Sequence, residues 1–459
     1  MTLDKIQKEL SNRKEEYLEQ LFTLLRQKSI STQNVGITEC AQLLKEMMEE
    51  IGIETQIMQT DGHPVVYGEL VKDEKYFTLL IYGHYDVQPP EPIDDWLSPP
   101  FEPTIRNGRI YCRGAGDNKG QLIAQLLGLK TYMKVYGDLP INIKFIFEGE
   151  EEIGSPNLSS FVREHKGLLK ADLVYTSDGS SHNSGAPLIL LGTRGCLDLE
   201  LKAKGADREN HSGNTGNILP NPAWKLINLL QTMCAQDGRV LVEGFYDHIL
   251  PPSKREKELL QKLPFDAEDI GNKVGYPYLD MNGETYYHKL TMEPTFNING
   301  IQSGYTGDGI QTIIPSTAIV KMDVRLVVDQ DPMDIFHKIQ RHVKAHDPDI
   351  EIEFISAMEP SRTSSDLEIV KVVTKAVQNV YQQEPLVQPS LGSSLPDYVW
   401  TKILGVPSII MPYANFDQGN HSPNENLDIE YFLNGIQCTC HVIHALGEHA
   451  KHRNGEVLN

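Results

Sequence analysis

Six side chains in this sequence are of the types that bind cations and move protons, and each falls at the end of a strand or in a turn: His84, Asp117, Glu151, Glu152, Asp178 and His421. The most informative run is G-H-Y-D-V-Q-P at 83–89, which follows the apolar stretch 76–82. Residues two apart in a strand project to the same side. His84 and Asp86 can therefore be presented together, as an imidazole ligand and the carboxylate that orients it. Asp117 lies in R-G-A-G-D-N-K-G at 113–120, a glycine-rich turn that opens a helix. Such turns cradle phosphate on exposed N–H groups, but the spacing departs from G-x-x-x-x-G-K-[ST], and an aspartate in the loop repels an anion. A carboxylate there suits a cation, and its two oxygens can bridge a pair. In E-G-E-E-E-I-G-S at 148–155, four glutamates occupy five positions. On a surface this is a solvated acidic turn. At the end of a buried strand the like charges require cations or a raised pKa on one member. Asp178 in S-D-G and His421 in N-H-S-P-N-E complete the set. Imidazole and carboxylate donors without thiolate favour zinc, manganese or cobalt over copper or iron–sulfur centres.

These residues need a scaffold that gathers strand ends. Helical spacing of apolar residues predicts helices over 6–26 and 40–51, the second stopped by Gly52. Strands over 77–82, 141–147 and 171–176 then alternate with a helix over 121–135. This rhythm predicts an α/β fold, a mostly parallel sheet sandwiched by helices, with ligands collecting at the carboxyl ends of its strands. After 188–192 the pattern changes. The segments 195–204 and 318–326 alternate apolar and polar residues, with a helix over 222–234 and a polar stretch between them. That pattern predicts an inserted α+β domain, an antiparallel sheet with helices on one face. A helix over 367–381 and a strand over 408–411 return to the first pattern. The expected division is a catalytic domain from 1–193 and 362–459, with 194–361 inserted as a lid and dimerisation domain.

At 459 residues the chain is long enough for two substantial cores. Its 42 Lys and Arg against 63 Asp and Glu give a formal charge of −21, which repels nucleic acid and anionic membranes. Six scattered cysteines show no zinc-finger or redox spacing. The N-terminus has the charge pattern of an amphipathic helix without an apolar signal core, and no stretch approaches a membrane span. A reducing cytoplasm is the expected compartment.

Taken in order, G-H-Y-D-V-Q-P, G-D-N-K-G, E-G-E-E-E-I-G-S, S-D-G and H-S-P-N-E resemble the active-site motifs of the zinc metallopeptidase family that contains carnosinases, cytosolic nonspecific dipeptidases, aminoacylases and glutamate carboxypeptidases. The similarity is greatest to the carnosinase-like dipeptidases, through N-H-S-G at 210–213, Q-T-I-I-P at 311–315 and D-V-R-L-V at 323–327. The resemblance implies two divalent metal ions, zinc first with manganese or cobalt as alternatives. Asp117 would bridge them, His84 and Asp178 would complete one site, and Glu152 and His421 the other. It further implies a metal-bridged water as nucleophile, Glu151 as general base and Asp86 as the partner of His84. Two cations, three carboxylates and one hydroxide would sum to a neutral core. His211 would face the oxyanion, reaching across a homodimer interface formed by the inserted domain. Arg325, helped by Thr312 and Ser394, would clamp a substrate carboxylate. The expected reaction is hydrolysis of the amide bond of dipeptides or short peptides. The alternatives are an aminoacylase or deacylase acting on N-acyl amino acids, and a catalytically silent peptide-binding dimeric scaffold.

Overall fold

The computed structural model describes residues 2–453. Its larger sheet has eight strands in the order Glu54–Met58, Val65–Leu70, Asn142–Glu148, Thr78–His84, Leu173–Thr176, Ser408–Ile410, Leu188–Leu190 and Leu386–Gln388. Four neighbouring pairs are parallel, three of them in the centre, and the remaining three are antiparallel. Every residue of Thr78–His84 and Asn142–Glu148 is buried, as expected where both faces of a sheet are covered. One face packs on Thr2–Arg26, Ile37–Glu50, Lys119–Tyr136, Glu368–Tyr381 and Ile429–Arg453, and the other on Leu158–Glu164 and Val399–Leu404. The sandwich expected from the strand–helix rhythm is therefore present. Lys119–Tyr136 and Ile429–Arg453 cross closely at Gly128, where a Cβ would lie 2.4 Å from the Thr439 side chain.

The second sheet is antiparallel throughout, in the order Thr295–Ser303, Thr317–Leu326, Gly195–Lys204 and Glu351–Met358. Gly195–Lys204 alternates buried and half-buried residues as its sequence predicted, with one face packed on Pro222–Met233 and Pro332–His346. The stretch read only as polar contains three short helices, Lys254–Gln261, Ala267–Lys273 and Gly283–Met292. Their signals are at the N-termini: Ser253 and Glu256 form a reciprocal capping box, and Asp266 and Asn282 each accept a hydrogen bond from the first turn that follows. Leu260, Leu263, Tyr287 and Met292 bury a small cluster against Leu386, on the edge strand of the larger sheet. All six cysteines are free, and among the described residues no helix is long and apolar enough to cross a membrane.

Candidate metal centre

Three parallel strands deliver the site to one edge of the sheet. His84 is the last residue of Thr78–His84, Glu151 and Glu152 open a turn just after Asn142–Glu148, and Asp178 follows Leu173–Thr176. Asp117 precedes Lys119–Tyr136, and His421 lies in the loop beyond Ser408–Ile410 with a φ of 58°. Asp117 is common to two donor sets: His84, Asp117 and Asp178 form one, and Asp117, Glu152 and His421 the other. Within each set the ligand atoms all lie inside 4.8 Å of one another. His84 Nε2 is 3.2 Å from Asp117 Oδ1, 3.7 Å from Asp178 Oδ2 and 3.9 Å from Glu151 Oε2. His421 Nε2 is 3.3 Å from Asp117 Oδ2 and 3.0 Å from Glu152 Oε2.

The donor chemistry fits divalent cations. Nitrogen and oxygen donors converge, and His84 Nε2 is buried without a well-aligned hydrogen bond. Among the described residues no lysine or arginine pairs with Asp117, Glu151, Glu152 or Asp178. Burial pushes the Glu151 carboxyl well above the carboxylate range, reinforced by Asp178, Asp117 and Glu152 although His84 opposes it. Burial, with Asp117, raises Asp178 to about 7. Burial disfavours the charged form of Asp117, but hydrogen bonds from His421 and His84 outweigh it and hold that carboxyl down. His421 rises to about 10 through Asp117 and Glu152.

Asp86 does more than its place beside His84 suggested. Fully buried, its Oδ1 lies 3.3 Å from His84 Nδ1. Its two oxygens also accept the backbone N–H groups of Glu151 at 3.2 Å and Glu152 at 3.1 Å. His84 Nδ1 also lies 3.2 Å from the Asp86 backbone carbonyl, so Asp86 lines the histidine through both groups while its carboxylate holds the turn carrying two glutamates. The acidic run divides by role. Glu148 accepts hydrogen bonds from Tyr82 and Ser155, and Glu150 is held by Asn157 and His63, which leaves Glu151 and Glu152 facing the centre.

Neutral amides brace these loops, and the sequence reading missed them. Asn118 donates to the Ser177 carbonyl at 2.7 Å, Gln121 to the carbonyls of Gly116 and Gly179, and Gln125 to the Ser177 hydroxyl. All three side chains are fully buried. They tie the Asp117 and Asp178 turns together without adding charge. The available signal was the pair Gln121 and Gln125, four apart and so on one face, within the apolar first half of the helix at 120–129.

The residues expected to bind substrate form two pairs. His211 Nε2 is 3.3 Å from the Thr312 hydroxyl, both exposed on the inserted segment. Arg325 donates to the Ser394 hydroxyl at 2.9 Å, joining the second sheet to a loop of the first. Among the described residues neither pair hydrogen-bonds to the metal centre.

The model of peptidase family M20/M25/M40 matches residues 80–445. The Cys-Gly metallodipeptidase dug1 of Schizosaccharomyces pombe is 28% identical, across 97% of this chain and 98% of that one. The Beta-Ala-His dipeptidase of Homo sapiens is 30% identical, across 82% and 76%. The crystal structure of an M20 family metallo-carboxypeptidase from Sulfolobus solfataricus superposes with a TM-score of 0.89 at 36% identity, across 94% of this chain and 99% of that one.

Proposed function

Because the chain belongs to peptidase family M20/M25/M40, we propose that it is a dinuclear metal-dependent dipeptidase hydrolysing the amide bond of dipeptides or short peptides that carry a free carboxyl terminus. The observation that carries this is the pair of donor sets sharing Asp117, with the Glu151 carboxyl beside them. His84, Asp117 and Asp178 would hold one ion and Asp117, Glu152 and His421 the other, with zinc the first choice and manganese or cobalt alternatives. Two ions held there supply Lewis-acid polarisation of a carbonyl and an acidified water.

The protein's own groups do the rest. Glu151, with a carboxyl oxygen 3.9 Å from His84 Nε2, takes the proton of the attacking water and returns it to the leaving nitrogen. Asp86 keeps the His84 proton on Nδ1, so that Nε2 is free to ligate. Arg325, with Ser394 and Thr312, receives the substrate carboxylate, while His211 hydrogen-bonds the oxygen that gains charge. The same proposal makes 194–361 a lid through which two copies pair, so that His211 serves its partner's site. It places the enzyme in the cytoplasm, where six free cysteines stay reduced.

A second reading, a carboxypeptidase trimming longer peptides, is favoured by the similarity to the Sulfolobus solfataricus structure and uses the same Arg325 clamp. One panel separates the candidates: metal-reconstituted protein with free dipeptides, longer peptides, N-blocked peptides and N-acyl amino acids, with and without chelator. Preference for free dipeptides supports the proposal, and efficient release of the last residue from longer peptides supports the carboxypeptidase. Hydrolysis of acyl amino acids alone overturns both in favour of an aminoacylase. Activity indifferent to chelator overturns the metal mechanism, and peptide binding without turnover leaves a silent scaffold.

A further inference from the structure

Glu425 ends the motif H-S-P-N-E that carries His421, and the chemistry above gives it no role. Its surroundings do. The strand Asn426–Asp428 pairs antiparallel with Arg109–Tyr111, and this small ladder delivers Glu425 to the turn that leads to Asp117. Glu425 is fully buried, and its two oxygens accept four hydrogen bonds from that turn. Oε1 takes the backbone N–H groups of Gly116 and Asp117, each at 2.9 Å. Oε2 takes the N–H of Gly114 at 2.9 Å and the Arg113 guanidinium at 2.8 Å. The Glu425 carbonyl receives the N–H of Cys112.

The glycines make this cradle feasible. Gly114 has a φ of +84°, in the left-handed region, and a Cβ on Gly116 would lie 1.8 Å from the Gln418 side chain. Arg113, itself buried, cancels the charge of Glu425 and also donates to the Pro89 carbonyl, so the cradle adds no net charge beside Asp117. A carboxylate offers only acceptors, and here all four donors converge on it. With its backbone N–H tied to Glu425, Asp117 is left with its carboxylate between His84 and His421.

We propose that Glu425 is a positioning residue for the metal centre: a buried anionic template that holds the turn of Asp117 and fastens it to the loop of His421, so that both donor sets depend on it. The inference rests on those sets being metal sites. It departs from stability alone because the groups it joins each carry a ligand for the same pair of ions. In Glu425→Gln one acceptor becomes an NH2 facing the donors of Gly114 and Arg113, or of Gly116 and Asp117, while shape is kept.

The test is zinc titration of the full chain against a chromophoric chelator, with circular dichroism and the metal-free melting temperature followed in parallel, and the absorption spectrum of the cobalt-loaded protein. Expected for Glu425→Gln is a native circular dichroism spectrum, zinc affinity weakened about 10- to 100-fold at both sites, and an altered cobalt spectrum. A brace without a positioning role would lower only the melting temperature. Wild-type affinity and spectrum in Glu425→Gln would overturn the inference. If that variant does not fold, Glu425→Asp keeps the charge for Arg113 but shortens the reach. Weakened zinc binding then supports the role, and wild-type binding or failure of that variant to fold overturns a specific positioning role. Wild-type protein binding fewer than two zinc ions, or keeping both in His84→Ala and His421→Ala, would instead sink the metal-site reading beneath it.

Discussion

The metal-centre loops and the substrate loops of this protein are built in opposite ways. Around the metal centre His84, Asp117, Glu151, Glu152 and Asp178 are buried or half-buried and their turns are tied to one another through Asp86, Gln121 and Glu425, whereas His421 sits on an exposed loop. On the inserted segment, His211 and Thr312 are exposed and linked mainly to each other and to a two-residue strand pair. Under the proposed function, the difference means that most of the metal constellation is organised before substrate arrives, whereas the proposed substrate groups are held by few contacts of their own. Preorganisation is worth most where charge must be held close together, and adaptable contacts suffice to orient a small ligand.

The contrast can be broken by mutation, because the two regions should fail in different kinetic parameters. The largest effect is expected from Glu151→Gln, a fall of about 10²–10⁴-fold in kcat with metal content intact. Steady-state kinetics beside metal analysis of the same sample checks it, and near-normal turnover would remove Glu151 as the base. Asp86→Asn should cost about 10–100-fold in metal affinity together with kcat, since it loosens His84 and the Glu151–Glu152 turn at once. Arg325→Ala should act on the other side of the comparison. We expect KM for free dipeptides to rise about 10-fold or more with metal content unchanged, as for loss of one charge-assisted contact. Unchanged KM would mean that Arg325 serves the sheet and not the substrate. The smallest change is expected from Thr312→Val, about 3- to 10-fold in kcat/KM from one neutral hydrogen bond, with wild-type metal content and melting temperature. A variant of Thr312 that lost metal would erase the distinction between the two regions.

Much of the centre was legible because its residue types are unusual for their places. A histidine ending an apolar strand, an aspartate in a glycine turn and glutamates after a buried strand are each costly without a purpose, and all are gathered at one sheet edge. The helices Lys254–Gln261, Ala267–Lys273 and Gly283–Met292 were not legible as helices from periodicity, since ten residues or fewer give little repeat to detect. Their N-terminal capping residues were the better signal. The buried amides escaped for another reason: glutamine and asparagine are ordinary surface residues until packing removes water from them.

By itself the sequence determined the strand–helix rhythm, the change to an alternating antiparallel sheet, and the ordered motifs that mark the chain as a metallopeptidase, because periodicity and local residue chemistry are written in neighbouring positions. Only the tertiary structure decided which carboxylates share a site, that Asp86 holds the glutamate turn, and that Glu425 reaches back over 308 positions to hold Asp117. Those choices depend on which backbone donors face a carboxylate once the strands are paired, and chain separation says nothing about that.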